Sequence, residues 1–372
     1  MHPGLPLRTL HGIQRGDLCL ILPVRGRGTG AADMTDKVIT MAHGAGGSRM
    51  LDLLEEVVYP ALGGSACPDA EDAAALEVPG GEPGFRLACT TDSFVVNPLF
   101  FPGGDIGKLA VCGTVNDLSM RGARPLYLTM GLILEEGLSF QVLEDILRSA
   151  GRWAEEAGVR VVAGDTKVVE RGAADGLYIN TSGVGLIPPG REVSIHGARP
   201  GDVLLVSGCV GDHETAVLSR REGFDFRVDV ESDCAPLNGL VEAMLEVGEV
   251  HALRDPTRGG LAASLKEMAS ASGVALEVRE EQVPVREGVR AFCEMLGLDP
   301  LLLANEGKLL AAVPEESLPA ILEAMRSHPL GREAAVIGRV VEGRRGEVAV
   351  LTPLGSSRLL RMPSGEHFPR IC

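Results

Sequence analysis

Basic residues are scarce in this chain. Lysine and arginine total 35 against 51 aspartates and glutamates, giving a formal net charge of −16. That field opposes the basic footprint of nucleic-acid binding, so no nucleic acid is expected as a partner. Aromatic residues are only 3%, which leaves an aliphatic core. No apolar run approaches the length of a membrane span, so no membrane association is expected. None of the eight cysteines forms a Cys-x-x-Cys pair, which argues against a structural zinc site or a thioredoxin-like motif. The chain also lacks Gly-x-Ser-x-Gly, the elbow of serine hydrolases. Gly-x-x-x-x-Gly-Lys-[Ser/Thr] fails at Pro102 and Leu109, and Gly-x-Gly-x-x-Gly fails at Arg49.

What is present is an ordinary soluble balance, 45% hydrophobic and 23% charged, over 372 residues. The 48 glycines and 23 prolines point to many turns and backbone-lined sites. Residues 1–33 carry Arg8, Arg15, Arg25 and Arg27 among scattered Gly and Pro. They read as a poorly ordered extension or a start-site artefact, with Met34 as the working start. After that, strands and helices alternate. Helices are expected over 49–59, 105–120, 139–157, 212–221, 236–247 and 259–272. Strands are expected over 85–91, 124–134, 159–169, 177–187, 203–207, 274–278, 308–313, 333–340 and 347–351. Pro188-Pro189-Gly190 breaks the chain. The fold class is α+β in two halves, 34–190 and 191–354, followed by a tail over 355–372. A reducing, cytoplasmic setting fits the unpaired cysteines.

Several acidic residues stand at element ends: Asp72, Asp92 after a strand, Asp117 beside Asn116, and Asp165 in Gly164-Asp165-Thr166-Lys167. Convergent carboxylates suit a hard cation such as Mg²⁺, which also takes phosphate oxygens. Taken singly, each is equally a cap or turn residue. Two glycine clusters precede helices and offer backbone amides to phosphate. One holds Gly46 and Gly47 before Ser48, the other Gly104 and Asp105 before Ile106. Arg254-Asp255-Pro256-Thr257-Arg258-Gly259-Gly260 is a further anion cradle, with Arg258 able to grip phosphate. Lys167 is placed to face developing negative charge. Glu306 follows an apolar run, where a carboxyl can have a raised pKa and serve as a base. His196, His213 and His251 lack metal-ligand spacing and read as structural. The chain ends in Pro369-Arg370-Ile371-Cys372, and Pro363, Gly365 and Pro369 disfavour regular structure there. A thiol on such a mobile end is either idle or carried into a site like a substrate on an arm.

These segments together resemble the HypE family of hydrogenase-maturation proteins, in the superfamily of aminoimidazole ribonucleotide synthetase and selenophosphate synthetase. The resemblance runs from Met34 to Cys372, and the Pro-Arg-Ile-Cys ending separates this family from its superfamily. Glu71 departs from it, since many relatives carry Asp beside Asp72. The resemblance implies a two-domain PurM-like fold whose first half pairs across a homodimer to form a β-barrel. It implies binding of Mg²⁺–ATP through Asp72, Asp92, Asp117 and Asp165, with Gly46, Gly47, Gly104, Asp105, Asn116 and Thr166 also around the nucleotide. Lys167 would offset phosphate charge and Glu306 would be the base. The implied reaction is ATP-dependent dehydration of a carboxamide on Cys372 to a thiocyanate. The carboxamide would come from the carbamoyltransferase HypF, and the cyanide would pass to iron on a HypC–HypD scaffold. Two other readings stand beside it: a small-molecule phosphotransferase of the same superfamily, and a non-enzymatic scaffold with a terminal thiol.

Overall fold

The computed structural model describes residues 38–44, 47–62, 71–78, 80–221, 228–362 and 371–372. The chain divides into a unit of Met1–Ile39, of which only Val38 and Ile39 are described, and a unit of Thr40–Cys372. The extension expected over 1–33 lies outside the described residues. All that follows concerns the second unit.

Its first half opens with α1 (Ser48–Leu53), a π-helical turn (Leu54–Val58) and a short α2 (Tyr59–Ala61). Strands β1 (Ala74–Glu77) and β2 (Arg86–Phe94) follow, then the two-residue pair β3 (Phe100–Phe101) and β4 (Gly104–Asp105). Next come α3 (Ile106–Met120), β5 (Arg124–Glu135), α4 (Phe140–Glu156), β6 (Arg160–Val169) and β7 (Leu177–Ile187). The five-stranded sheet runs β1-β2-β7-β5-β6, so β6 is an edge. Helix α3 is apolar nearly all round and is buried along its length, as such a sequence requires. It lies on the face of the sheet that carries Ala88, Thr90, Asp92 and Phe94, the alternate residues of β2. Among the described residues the other face is left open, with Tyr127 and Ile133 exposed on it, and the edge strand β6 exposes Val161, Val162 and Val168.

The second half comprises β8 (Val203–Val206), α5 (Asp212–Leu218), α6 (Asn238–Val247), β9 (Ala252–Arg254), α7 (Gly260–Ser272), β10 (Ala275–Arg279) and α8 (Glu287–Leu296). It closes with β11 (Leu310–Val313), α9 (Leu318–Ser327), β12 (Ala335–Val341), β13 (Glu347–Leu351) and β14 (Ser357–Leu359). The seven-stranded sheet runs β14-β13-β10-β12-β8-β11-β9. Strands β8 and β11 are buried on both faces, which is why they read as unbroken apolar runs. Leu204, Val206, Leu310 and Ala312 face α7, while Val203, Leu205, Ala311 and Val313 face α6 and α9.

The expected strands 177–187 and 347–351 match β7 and β13 in full. The tail expected from residue 355 starts later, because Ser357–Leu359 pairs with β13 and Leu360 is buried behind it. More consequentially, Ile371 and Cys372 are buried, at 4% and 9% exposure, so the last two residues are packed inside rather than free.

Candidate active site

Three carboxylates meet where the halves join. Asp72 precedes β1, Asp117 sits near the C-terminal end of α3, and Asp255 follows β9. One oxygen from each lies within 4.8 Å of the others. Thr90 Oγ donates to Asp117 Oδ2 at 2.9 Å. Arg254 binds Asp72 and, at 2.9 Å, Glu267. Asp255 Oδ2 is buried with no hydrogen-bond partner. Burial, and then mutual repulsion, pushes Asp117 well above the carboxylate range. Asp72 is also pushed well up by burial, against the pull of Arg254. Asp255 is pushed up to about 6, again chiefly by burial, with Arg254 opposing. An all-oxygen donor set with an orphaned buried oxygen and crowded negative charge fits a hard divalent cation such as Mg²⁺.

Asp92 stands beside this cluster on β2, and its Oδ1 accepts from Ser93 N–H at 2.7 Å. Arg258 Nη2 is 4.0 Å from that oxygen, and Nη1 donates to the Gly44 carbonyl at 3.1 Å. Arg258 thus ties the first glycine loop to the cluster. Gly47 of that loop is the N-cap of α1, with φ +84°, and Gly46 lies outside the described residues. The turn that presents Asp255 and Arg258 depends on Gly260. Its φ is +61°, and a Cβ there would fall 2.5 Å from the Leu303 carbonyl oxygen. Asn305 fastens the same turn, donating to the Pro256 carbonyl at 2.9 Å.

The tail reaches this place. A terminal carboxylate oxygen of Cys372 accepts from Val95 N–H at 3.2 Å, just past the end of β2. Burial pushes the Cys372 thiol far up, while Arg258 pulls it down and Glu306, Asp92 and Glu214 push it up. Burial in this seat therefore favours the neutral thiol. Glu306 is buried with Oε1 unpartnered, and burial lifts its pKa well above the ordinary value, helped by Cys234 and Asp255. Its backbone N–H donates to Asp233 Oδ1 at 3.1 Å, and Gly307 N–H donates to Asp233 Oδ2 at 3.3 Å. Gly113 of α3 leaves room above it: a Cβ there would lie 3.9 Å from Glu306 Oε2 and 2.9 Å from the Phe94 ring.

Other expected site residues lie elsewhere. Asn116 points away from Asp117. Its amide donates to the Ala235 and Glu306 carbonyls, both at 3.2 Å, and its oxygen accepts from Leu237 N–H at 2.8 Å. With its amide and its oxygen engaged, the Asn116 side chain is a strut between the halves. Asp105 caps α3 through Gly107 and Lys108 N–H and takes the Ser149 hydroxyl. It stands twelve residues before Asp117, roughly 18 Å along the helix. Gly104 belongs to the β3–β4 turn, which packs on Ser232 through the Pro102 carbonyl. This second glycine cluster is therefore no phosphate cradle for the carboxylates. Asp165, Thr166 and Lys167 are exposed on β6, with Lys167 Nζ 2.7 Å from Asp165 Oδ2. The register runs Asp92, Thr181, Met130, Gly164 across the sheet. Those residues therefore sit three strand spacings from Asp92, roughly 14 Å. Within one chain they do not join the cluster. Glu71 also turns away, binding Arg121, Ser194 and the Ile195 N–H.

Comparison with known proteins now has a geometry to refer to. Residues 70–187 match the family AIR synthase related protein, N-terminal domain, and residues 199–351 match its C-terminal domain. The carbamoyl dehydratase HypE of Azotobacter vinelandii is 52% identical over 341 residues, 91% of this chain and 99% of that protein. The chain belongs to the carbamoyl dehydratase HypE family. A solved HypE–HypF complex contains a chain 49% identical, with a TM-score of 0.78 over 84% of this chain and 99% of that one. A HypE structure in complex with ATP, also 49% identical, gives a TM-score of 0.75 over 90% of this chain and 100% of that one. The fold is the two-domain α+β arrangement of this family. Among the described residues no helix is long and apolar enough to cross a membrane.

One buried acid near the seat has a measurable signature. Glu214 of α5 accepts from Ala304 N–H at 2.7 Å, yet burial still pushes its pKa from 4.5 up to about 7. A folded-state value above the unfolded one means that stability is lost as pH rises from about 4.5 to 7. Glu214→Gln keeps the acceptor and removes the titration. The variant should gain roughly 3 kcal/mol over the parent across that window, at about 1.4 kcal/mol per pH unit. Urea unfolding at pH 4.5 and 7 checks this; an equal difference at both values would contradict it.

Proposed function

We propose that this protein dehydrates an S-carboxamide on its own Cys372 to a thiocyanate at the expense of ATP, as a hydrogenase-maturation enzyme. The observation that carries this reading is the burial of Cys372, with its terminal oxygen on Val95 N–H directly after β2, the strand that brings Asp92 beside the Asp72–Asp117–Asp255 cluster. A kinase of the same fold acting on a small molecule would need no thiol there. HypF is the expected carbamoyltransferase, and HypC–HypD the expected acceptor of cyanide.

The closed seat suits the neutral carboxamide better than the free thiolate, which burial disfavours. Loading therefore takes place with the tail withdrawn. Once seated, the amide oxygen attacks the γ-phosphorus, a P–O bond forms, and ADP leaves. The activated carbon then loses phosphate with the C–O electron pair as nitrogen gives up two protons in turn. Glu306 takes those protons. Its raised pKa makes it a stronger base than an exposed carboxylate, and the cationic nitrogen formed on activation favours its ionised form. Arg258, with Nη2 4.0 Å from Asp92 Oδ1, steadies charge on the transferring group. Bound at Asp72, Asp117 and Asp255, Mg²⁺ would supply further charge neutralisation for phosphate oxygens. Exclusion of water protects the activated carboxamide from hydrolysis. Glu306→Gln should slow ATP-dependent water loss about 10²–10³-fold while leaving carboxamide loading intact. Parental rates in that variant would remove Glu306 from its role.

The homodimer belongs to the same reading. An edge strand with exposed Val161, Val162 and Val168, next to a sheet face on which Tyr127 and Ile133 are exposed, is a surface that a second copy can close. Asp165, Thr166 and Lys167 would then act within a pair of copies rather than within one chain. Val162→Glu should turn a dimer into a monomer in sedimentation at micromolar concentration; an unchanged dimer would place the interface elsewhere.

A further inference from the structure

His213 has no step in the chemistry above, yet it touches the tail. It lies on α5 and is fully buried. Its ring stands edge-on to Phe101, with centroids 5.3 Å apart and planes at 87°. Nε2 is 2.9 Å from the Ile371 carbonyl oxygen, and Nδ1 is 2.8 Å from Ser232 Oγ. A carbonyl can only accept, so Nε2 carries the proton. Nδ1 is then an acceptor and takes the Ser232 hydroxyl proton. Ser232 Oγ in turn accepts from Cys234 N–H at 3.1 Å. The chain of donors runs one way and fixes a single neutral tautomer. Burial, which pushes His213 below its ordinary pKa, favours the same state.

Two more contacts complete the seat. The Ile371 side chain packs with Leu218, Phe292 and Ala304. The terminal carboxylate of Cys372 accepts from Val95 N–H. Both polar contacts address the tail's main chain and neither engages the thiol.

We propose that His213 is a positioning residue, whose Nε2–H docks the penultimate carbonyl of the tail and sets how deeply Cys372 enters the site. The apolar socket beside it reads the penultimate side chain and favours a branched aliphatic residue there. The purpose of this docking rests on the dehydratase reading; its geometry does not.

The test uses the full chain and its His213→Ala and His213→Gln variants. Alkylation of Cys372 by iodoacetamide, followed on the C-terminal peptide by mass spectrometry, needs no turnover. The alanine variant should react about tenfold faster than the parent, the scale of one lost buried hydrogen bond. Glutamine can donate to the same carbonyl, so its variant should stay within about threefold of the parent. In single turnover, the alanine variant should lose rate while ATP affinity is unchanged. A parental alkylation rate in His213→Ala overturns the proposal. Should that variant fail to fold, Ile371→Asp at the chain end should expose the thiol to a similar degree, and a parental rate there overturns it. A parent that shields Cys372 but never dehydrates its carboxamide would sink the enzymatic reading and leave the docking standing.

Discussion

Replacing Cys372 with alanine is expected to abolish thiocyanate formation outright, with no measurable residual rate, while Mg²⁺–ATP still binds. The loss is total because the residue is the substrate's point of attachment, not one contact among several. A short tether gives an attached group an effective concentration near millimolar, and no free carbamoylated thiol would match that. The nucleotide groups remain in place, since Asp72, Asp117 and Asp255 are held by Arg254, Thr90 and the Gly260 turn and not by the tail. Hydrogenase matured with this variant should lack the infrared bands of iron-bound cyanide. Calorimetry with Mg²⁺–ATP should give a parental affinity. A cyanide-bearing hydrogenase made with Cys372→Ala would mean that the thiol is idle.

Replacing Asp255 with asparagine should move activity and stability in opposite directions. Asparagine keeps the shape but removes one of three crowded negative charges. The loss of one contact to charge in phosphoryl transfer is worth about 10²–10³ in rate, or about 3–4 kcal/mol. Without metal, however, the parent bears the cost of a buried, unpartnered carboxylate oxygen. Relieving it should raise the midpoint of thermal unfolding by a few degrees in a chelator. Added Mg²⁺ should stabilise the parent and not the variant. A variant that is both inactive and less stable in chelator would make Asp255 an ordinary structural acid. Equal stabilisation of both proteins by Mg²⁺ would place the cation elsewhere.

Much of this was readable in the chain, for identifiable reasons. β7 and β13 follow from alternation and short buried runs, and Asp105 was legible as the cap of α3. Asp72, Asp92 and Asp117 were legible as acids at element ends, and the cluster took two of them. Asp255 was read for its glycines and for Arg258, not for its own carboxylate. Its convergence with Asp117 depends on β9 of one sheet meeting α3 of the other half, a long-range event that no local pattern carries. Neighbouring helical residues do not face the same way, which is why Asp117 turns to the cluster while Asn116 bonds to Ala235, Glu306 and Leu237 of the second half. Helix α8 shows the same kind of local signal, since Val289, Phe292 and Cys293 are spaced to share its buried face. His213 lacks metal-ligand spacing, and its bond to the Ile371 carbonyl is a long-range contact that no local pattern carries. The tail misled for a different reason. Proline and glycine at 363, 365 and 369 argue against regular backbone, and irregular backbone is not the same as exposure. Ile371 is a large aliphatic residue with a socket to fill, and burying such a side chain is worth about 1.5–3 kcal/mol.

The most direct test follows the C-terminal peptide by mass spectrometry after the protein is incubated with its carbamoyltransferase and carbamoyl phosphate, with and without ATP as the dehydrating cosubstrate. A carboxamide should appear on Cys372 and should lose one water only when ATP is supplied after loading. A loaded peptide that keeps its water in the presence of Mg²⁺–ATP, or a Cys372 that never loads, would contradict the account.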